Sequence, residues 1–235
     1  MDSFYIRGSD VSAVCGKNIY QPVGIDLFKK IHDYNNGIYK NICKTDSEFL
    51  NKKIKKYSKT KGLLEDVVNE FEIGTMSDKD KQTVIEKASI LRGNQHELGD
   101  LQKYVNEKNE KSKKDGVIFK KTTIRKNNDK IYIIRVCNIS IKSKIDGIEF
   151  ENDIPVCLIE TKRRRNRLFY EIPEYEKVQL EVYLRTTNLN NATHIENYKN
   201  ENNTIDYIKD DEFWNEITDG IDTFIERYTE YVNTL

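Results

Sequence analysis

An apolar run, Ile154-Pro155-Val156-Cys157-Leu158-Ile159, ends abruptly in Glu160-Thr161-Lys162. A run this short and this apolar reads as a buried strand, from about Pro155 to Thr161. Such a strand needs other elements packed on it, and the chain supplies them in a fixed order. Upstream the apolar spacing is helical. Ser9 to Gly16 reads as a short helix with Ser9 as N-cap and Gly16 as the C′ residue. Pro22 to about Tyr34 reads as a second helix, with Leu27, Phe28 and Ile31 on one face. Residues 46–70 read as helical with a break at Thr60-Lys61-Gly62, and Ser77-Asp78-Lys79-Asp80 starts a further helix. The pattern from about Gly93 to Val105 follows or continues it, and the charged stretch 106–115 reads as an exposed loop.

Beyond that point the period changes. Val117-Ile118-Phe119, Ile131 to Val136 and Ile139-Ser140-Ile141 read as strands, with Asn127-Asn128-Asp129 as a hairpin turn and Asp146-Gly147 as another. Pro173 to about Leu184 is helical, Thr193–Tyr198 is a strand candidate, and Asp211-Glu212 caps a final amphipathic helix. The element order fits one α/β or α+β domain; the expected fold is α/β, a single domain over residues 1–235 with a mixed central β-sheet flanked by helices. Its parts are a helical N-terminal region (about 1–115), a sheet core (about 116–200) and a C-terminal helix (about 211–235).

Within this frame one pattern carries chemistry. Alternate side chains of a strand share a face, so Glu160 and Lys162 project together. Asp146 stands at a turn before them. Two carboxylates and an ammonium at one place suit Mg²⁺ or Mn²⁺ with a charge stabiliser beside it, equipment for cutting phosphodiester bonds. Arg163, Arg164, Arg165 and Arg167 follow at once, where backbone phosphates would be held. Glu97 falls on a helical stripe with Ile90, Asn94, Leu101 and Tyr104, and an inward acid needs a partner or a metal. Gln179 sits on the apolar face Tyr175, Val178, Val182, where a buried amide needs partners. Ser9 and Arg7 mark a phosphate-sized pocket at a helix start, although capping alone accounts for Ser9.

Composition limits the alternatives. The 39 basic and 39 acidic residues cancel, so any nucleic-acid contact comes from local patches. Cys15, Cys43, Cys137 and Cys157 lack CxxC spacing, which argues against a disulfide framework or zinc site. The N-terminus has no basic and apolar leader pattern, and no stretch is long and apolar enough for a membrane span. An intracellular protein with no membrane partner is expected.

Taken in order, Arg7-Gly8-Ser9-Asp10-Val11, Arg92-Gly93-Asn94-Gln95-His96-Glu97, Ile145-Asp146-Gly147, Ile159-Glu160-Thr161-Lys162, Glu176-Lys177-Val178-Gln179 and Asp211-Glu212-Phe213-Trp214 form a set. The set resembles the lambda-exonuclease-like branch of the PD-(D/E)XK nucleases, including the YqaJ-type viral recombinases. The resemblance implies a restriction-endonuclease-like core and a Mg²⁺- or Mn²⁺-dependent deoxyribonuclease that resects duplex DNA ends 5′ to 3′ for recombination or repair. It implies Asp146, Glu160 and Glu97 as metal carboxylates, with help from the Thr161 carbonyl. Lys162 would position the water and Gln179 would orient the site. Arg7, Ser9, Arg92, Arg163, Arg164, Arg165 and Arg167 would contact DNA, with Ser9 where a terminal 5′ phosphate is held. Partners implied are double-stranded DNA ends and a single-strand annealing protein. Related enzymes include ring-forming trimers, but no homo-oligomer interface is legible in this chain. The lysine-rich segment 35–75 has no counterpart in the pattern. Two other readings fit the same core: an endonuclease of restriction or repair type, and a non-catalytic DNA-binding protein.

Overall fold

The strands divide between two mixed sheets, in a computed structural model that describes residues 4–38, 44–114, 122–125, 131–199 and 201–235. The larger sheet has the order β2-β5-β6-β7-β8: β2 is Thr122–Arg125, β5 Gly147–Glu151, β6 Ile154–Arg163, β7 Asn191–Tyr198 and β8 Glu201–Ile208. The apolar run is its central strand, β6, which pairs antiparallel with β5 and parallel with β7. A parallel pair needs a crossover, and α6 (Glu174–Thr187) supplies it. The smaller sheet has the order β1-β4-β3, from Tyr5–Arg7, Ile139–Ser143 and Tyr132–Val136.

Both faces of β6 are covered, as its composition demands. Leu158 enters the main core with Val178, Leu180 and Leu184 of α6, and with Ile217, Ile221 and Phe224 of α7 (Asp211–Val232). The short α1 (Val11–Val14) and α2 (Ile25–Asn35) complete that core. On the other face Ile159 and Ile195 pack with Leu101 of α5 (Asp78–Lys114). The first turns of α5 contribute Val84, Ile85 and Ala88 to a separate core, with Ile54 and Tyr57 of α3 (Glu48–Tyr57) and Leu64 and Val68 of α4 (Leu64–Phe71).

Several expectations need correction. Residues 106–114 are not a loop but the last turns of α5; Lys108 reaches back to Glu149 of β5, and Glu107, Glu110 and Lys111 are exposed. β8 was not expected, because its sequence is polar; it is an edge strand with one row of side chains exposed. β5 follows the Asp146 turn directly, and β1 precedes the helices of the N-terminal region. Ser9 is not an N-cap: it lies in a 3₁₀ turn, Gly8–Asp10, whose preceding residue is Arg7. Asp210, not Asp211, caps α7, accepting from the backbone N–H groups of Glu212 and Phe213 at 3.0 Å each. Strand 117–119 and the turn 127–129 lie outside the described residues. The strands on either side, β2 and β3, belong to different sheets and so do not form a hairpin.

Candidate active site

The parallel register of β6 and β7 sets Glu160 opposite His194 and Lys162 opposite Glu196. All four side chains share the face covered by α6. From α6, Gln179 reaches the same place. The Lys162 ammonium donates to Glu160 Oε1 at 2.7 Å and to Gln179 Oε1 at 3.0 Å. Gln179 Nε2 in turn donates to the Tyr183 hydroxyl at 2.7 Å. Asp146 stands just before β5, and its Oδ2 accepts from the Thr161 backbone N–H at 2.9 Å and the Thr161 hydroxyl at 3.1 Å. The structure thus brings Asp146, Glu160, Thr161, Lys162 and Gln179 together.

Electrostatics mark the spot. Glu160 is only 3% exposed. Burial pushes its carboxyl up to about 8; Asp146 adds to the rise and Lys162 opposes it. Its second oxygen, Oε2, is buried without a hydrogen-bond partner. For Lys162 burial acts downward, but Glu160, Asp146 and Glu176 outweigh it and hold the ammonium charged.

Behind this group lies a second buried network. Glu176 accepts from Arg164 Nη1 and Nη2 at 2.6 and 2.7 Å and pairs with His194 Nε2 at 2.8 Å. Burial alone would raise Glu176, yet Arg164, His194 and Lys162 pull it down to about 2. An ionised carboxylate only accepts, so His194 Nε2 is the donor in that pair. Glu196, fully buried, accepts from Arg164 Nε at 2.6 Å and from the backbone N–H groups of Phe169 and Tyr170.

The other expected residues are placed as follows. Glu97 is half-buried on α5, one turn before Leu101, on the helix that covers the opposite face of the sheet from Glu160 and Lys162. Among the described residues no group of three or more His, Cys, Asp or Glu side chains is arranged to hold a metal ion. Of the expected carboxylates, Asp146 and Glu160 meet at Lys162. Ser9 is exposed, but its neighbour Gly8 is pressed against the site: a Cβ there would meet Ser143 Oγ at 2.6 Å and Tyr183 Cε1 at 2.9 Å. Arg7 stacks over the Tyr34 ring. Arg92 is turned inward, donating to the carbonyls of Gly62, Tyr57 and Thr60 that follow or end α3. Arg164 is consumed by Glu176 and Glu196. Arg163 pairs with Asp100 of α5 at 2.8 Å, Arg165 with Glu65 of α4 at 2.9 Å, and Arg167 is exposed.

Sequence reasoning missed Tyr183, His194 and Glu196. Tyr183 was findable, since it stands four residues beyond Gln179 on the same helical face. The signal for the other two is a strand whose inward alternation, Ala192, His194, Glu196, turns polar where it passes Lys162.

No protein-family model and no curated protein sequence matches the chain. Solved structures do. The alkaline exonuclease LHK-Exo from Laribacter hongkongensis aligns over 98% of this chain and 91% of its own, at TM-score 0.50 and 11% identity. The same enzyme in complex with dAMP gives TM-score 0.50 and 12% identity over 97% and 90% of the two chains. A phage-related exonuclease from Haemophilus somnus gives TM-score 0.50 and 10% identity over 99% and 96%. Likeness at this identity is likeness of fold, and it spans nearly the whole chain. The polypeptide therefore has the fold of these alkaline and phage-related exonucleases, the lambda-exonuclease-like architecture that its ordered motifs resemble.

Proposed function

We propose that this chain is a divalent-metal-dependent deoxyribonuclease that shortens duplex DNA from its ends, as an exonuclease running 5′ to 3′. The observation that carries the reading is the convergence of Asp146, Glu160, Lys162 and Gln179 around one unpartnered buried oxygen. Glu160 Oε2 has lost water and gained no donor, which is costly unless a cation occupies the place. Hard carboxylate oxygens suit Mg²⁺ or Mn²⁺, and Mg²⁺ commonly takes only one or two protein carboxylates beside water and substrate phosphate. Asp146 and Glu160 fit such an ion. Bound there, it would polarise the scissile phosphate and lower the pKa of its water.

The chain's own residues do the rest. Thr161 donates two hydrogen bonds to one oxygen of Asp146 and so aims the other. Glu160 and Gln179 pin the Lys162 ammonium from two sides, where it faces charge developing on phosphorus-bound oxygen. Tyr183 fixes the amide of Gln179, and Gln179 cannot turn without breaking two bonds. Exposed Arg163, Arg165 and Arg167 leave the end of β6 basic, suited to a phosphate backbone. Polarity, recombination or repair as the setting, and a single-strand annealing partner rest on the sequence resemblance.

End-labelled linear duplexes carrying 5′-phosphate or 5′-hydroxyl termini, incubated with Mg²⁺ beside a covalently closed circle, test the reading. Stepwise loss of the linear duplex with the circle intact is expected, with faster loss from the phosphorylated end. Nicking of the circle would replace it with an endonuclease; an uncut linear duplex would overturn it.

A further inference from the structure

Beyond the site itself, the loop joining β6 to α6 presents its aromatic residues in an unusual way. Among the described residues seven non-glycine residues have positive φ. Cys137, Asn138, Asn152, Asp153 and Lys199 sit in the tight turns between antiparallel strands, and Asn188 ends α6. Those are places where the left-handed region is expected. Tyr170, at φ 62, is in neither kind of place. A bulky side chain there is strained, and such strain persists only where the surroundings impose it.

The surroundings are a buried carboxylate. Glu196 Oε2 accepts from the backbone N–H groups of Phe169 at 3.0 Å and Tyr170 at 3.1 Å. Glu196 is the residue directly across from Lys162, so the loop is tied to the strand pair that carries the site. Arg164 locks Glu196 from the other side and lies 4.1 Å from the Phe169 ring centroid. Leu168 anchors the loop in the interior. What is held so firmly points outward: Phe169 is 39% and Tyr170 65% exposed. Exposed Arg165 and Arg167 precede them, and the ion pair of Arg165 with Glu65 is between exposed groups and weak in water.

Aromatic faces beside exposed arginines are how proteins hold single-stranded nucleic acid: bases stack on the rings and phosphates meet the cations. We propose that Tyr170, with Phe169 beside it, is a stacking platform for an unpaired DNA base next to the cutting site, with Arg165 and Arg167 holding the phosphates of that strand. The inference rests on the proposed nuclease reading for why single-stranded DNA arises there: shortening one strand of a duplex leaves the other unpaired.

The test uses the full chain in EDTA, so that nothing is cut, and a duplex with a single-stranded tail carrying 2-aminopurine. Stacking changes the fluorescence of that base. Wild type and Tyr170→Phe are expected to change it, and Tyr170→Ala and Tyr170→Gly to lose the change. Tail affinity should fall about tenfold in these two variants, with blunt-duplex affinity held within about twofold. Glycine suits a positive φ, so Tyr170→Gly should melt no lower than wild type. No fluorescence change in the wild-type complex, or wild-type-like tail binding by Tyr170→Gly, would overturn the platform. So would a loss of binding that tracks a lowered melting temperature. Digestion of a labelled duplex with Mg²⁺ is scored separately, so an inactive wild type would overturn the nuclease reading and leave the stacking result to stand or fall alone.

Discussion

Glu72 and Glu160 are both shielded from solvent, 1% and 3% exposed, but Glu72 lies near the surface of its small core and Glu160 deep in the protein, and their carboxyls are pushed in opposite directions. Glu72 closes the small helical core of α3, α4 and α5. Its Oε1 accepts from the Tyr57 hydroxyl and from Lys53 at 2.6 Å, and its Oε2 from the Thr75 hydroxyl at 2.6 Å. Burial works against the charge there too, but these donors overcome it and bring Glu72 down to about 2. Glu160 has Lys162 on one oxygen, nothing on the other and Asp146 nearby, and it rises to about 8. Depth and partners together set the direction: Glu72 is shallow and well supplied with donors, Glu160 is deep and half supplied. A carboxylate whose oxygens are all taken belongs to the architecture, and one left open is ready for something that arrives later.

The largest expected effect separates the two in function. Glu160→Gln and Lys162→Ala should each lower the rate of duplex digestion by about 10²–10³ or more, since each removes charge placed at the reacting phosphate. Both should retain the wild-type far-UV circular dichroism spectrum. Glu72→Gln should digest at the wild-type rate per folded molecule. Equal digestion by Glu160→Gln and wild type would break the comparison.

Stability should divide them the other way. Glu72→Ala strands the buried Tyr57 hydroxyl and the Lys53 ammonium, and should cost about 3 kcal/mol in urea unfolding. Water at partly exposed Lys53 moves the figure toward the low end. Glu160→Gln replaces a carboxyl that burial makes costly to ionise, so its unfolding free energy should match or exceed the wild-type value.

These two residues also show what could be read from sequence. Glu160 was legible because an apolar run ends on it and Lys162 follows two places on; strand periodicity then fixes their common face. Glu72 was not, since its partners Tyr57 and Lys53 come from a helix whose packing no local pattern reveals. The same limit applies to Glu97. Its expected stripe is inward only in part, Leu101 being buried while Ile90 and Asn94 are exposed, and sequence could not say which face of the sheet α5 covers. His194 and Glu196 escaped for a related reason: a buried polar strand reads as an exposed one until Arg164 is seen to satisfy it.

The pH dependence of stability gives an intermediate test, read in metal-free buffer as differences between variant and wild type. Glu72 has its pKa lowered, so its contribution is complete above the ordinary carboxylate range and is lost as pH falls toward about 2. The deficit of Glu72→Gln should therefore shrink through that acid window. Glu160 has its pKa raised, so the native state holds an extra proton and loses stability as pH climbs from the ordinary range to about 8. The advantage of Glu160→Gln should grow over that window and level off above it. Parallel slopes for the two variants would erase the distinction.

The arginines repeat the contrast at smaller scale. Arg164 is closed, donating to Glu176 and Glu196 from inside the protein, while Arg167 is open to solvent. Arg164→Ala should act on folding, because two buried carboxylates lose their cation. Arg167→Ala should leave the melting temperature unchanged and weaken DNA binding only a few-fold, lowering the slope of log affinity against log salt by about 1, the signature of one lost phosphate contact. Salt-dependent anisotropy with a labelled duplex measures that slope. An unchanged slope would remove Arg167 from the DNA-contacting set and leave Arg163 and Arg165, each already tied to an acid on the helical side, as the charges that must exchange partners when DNA binds.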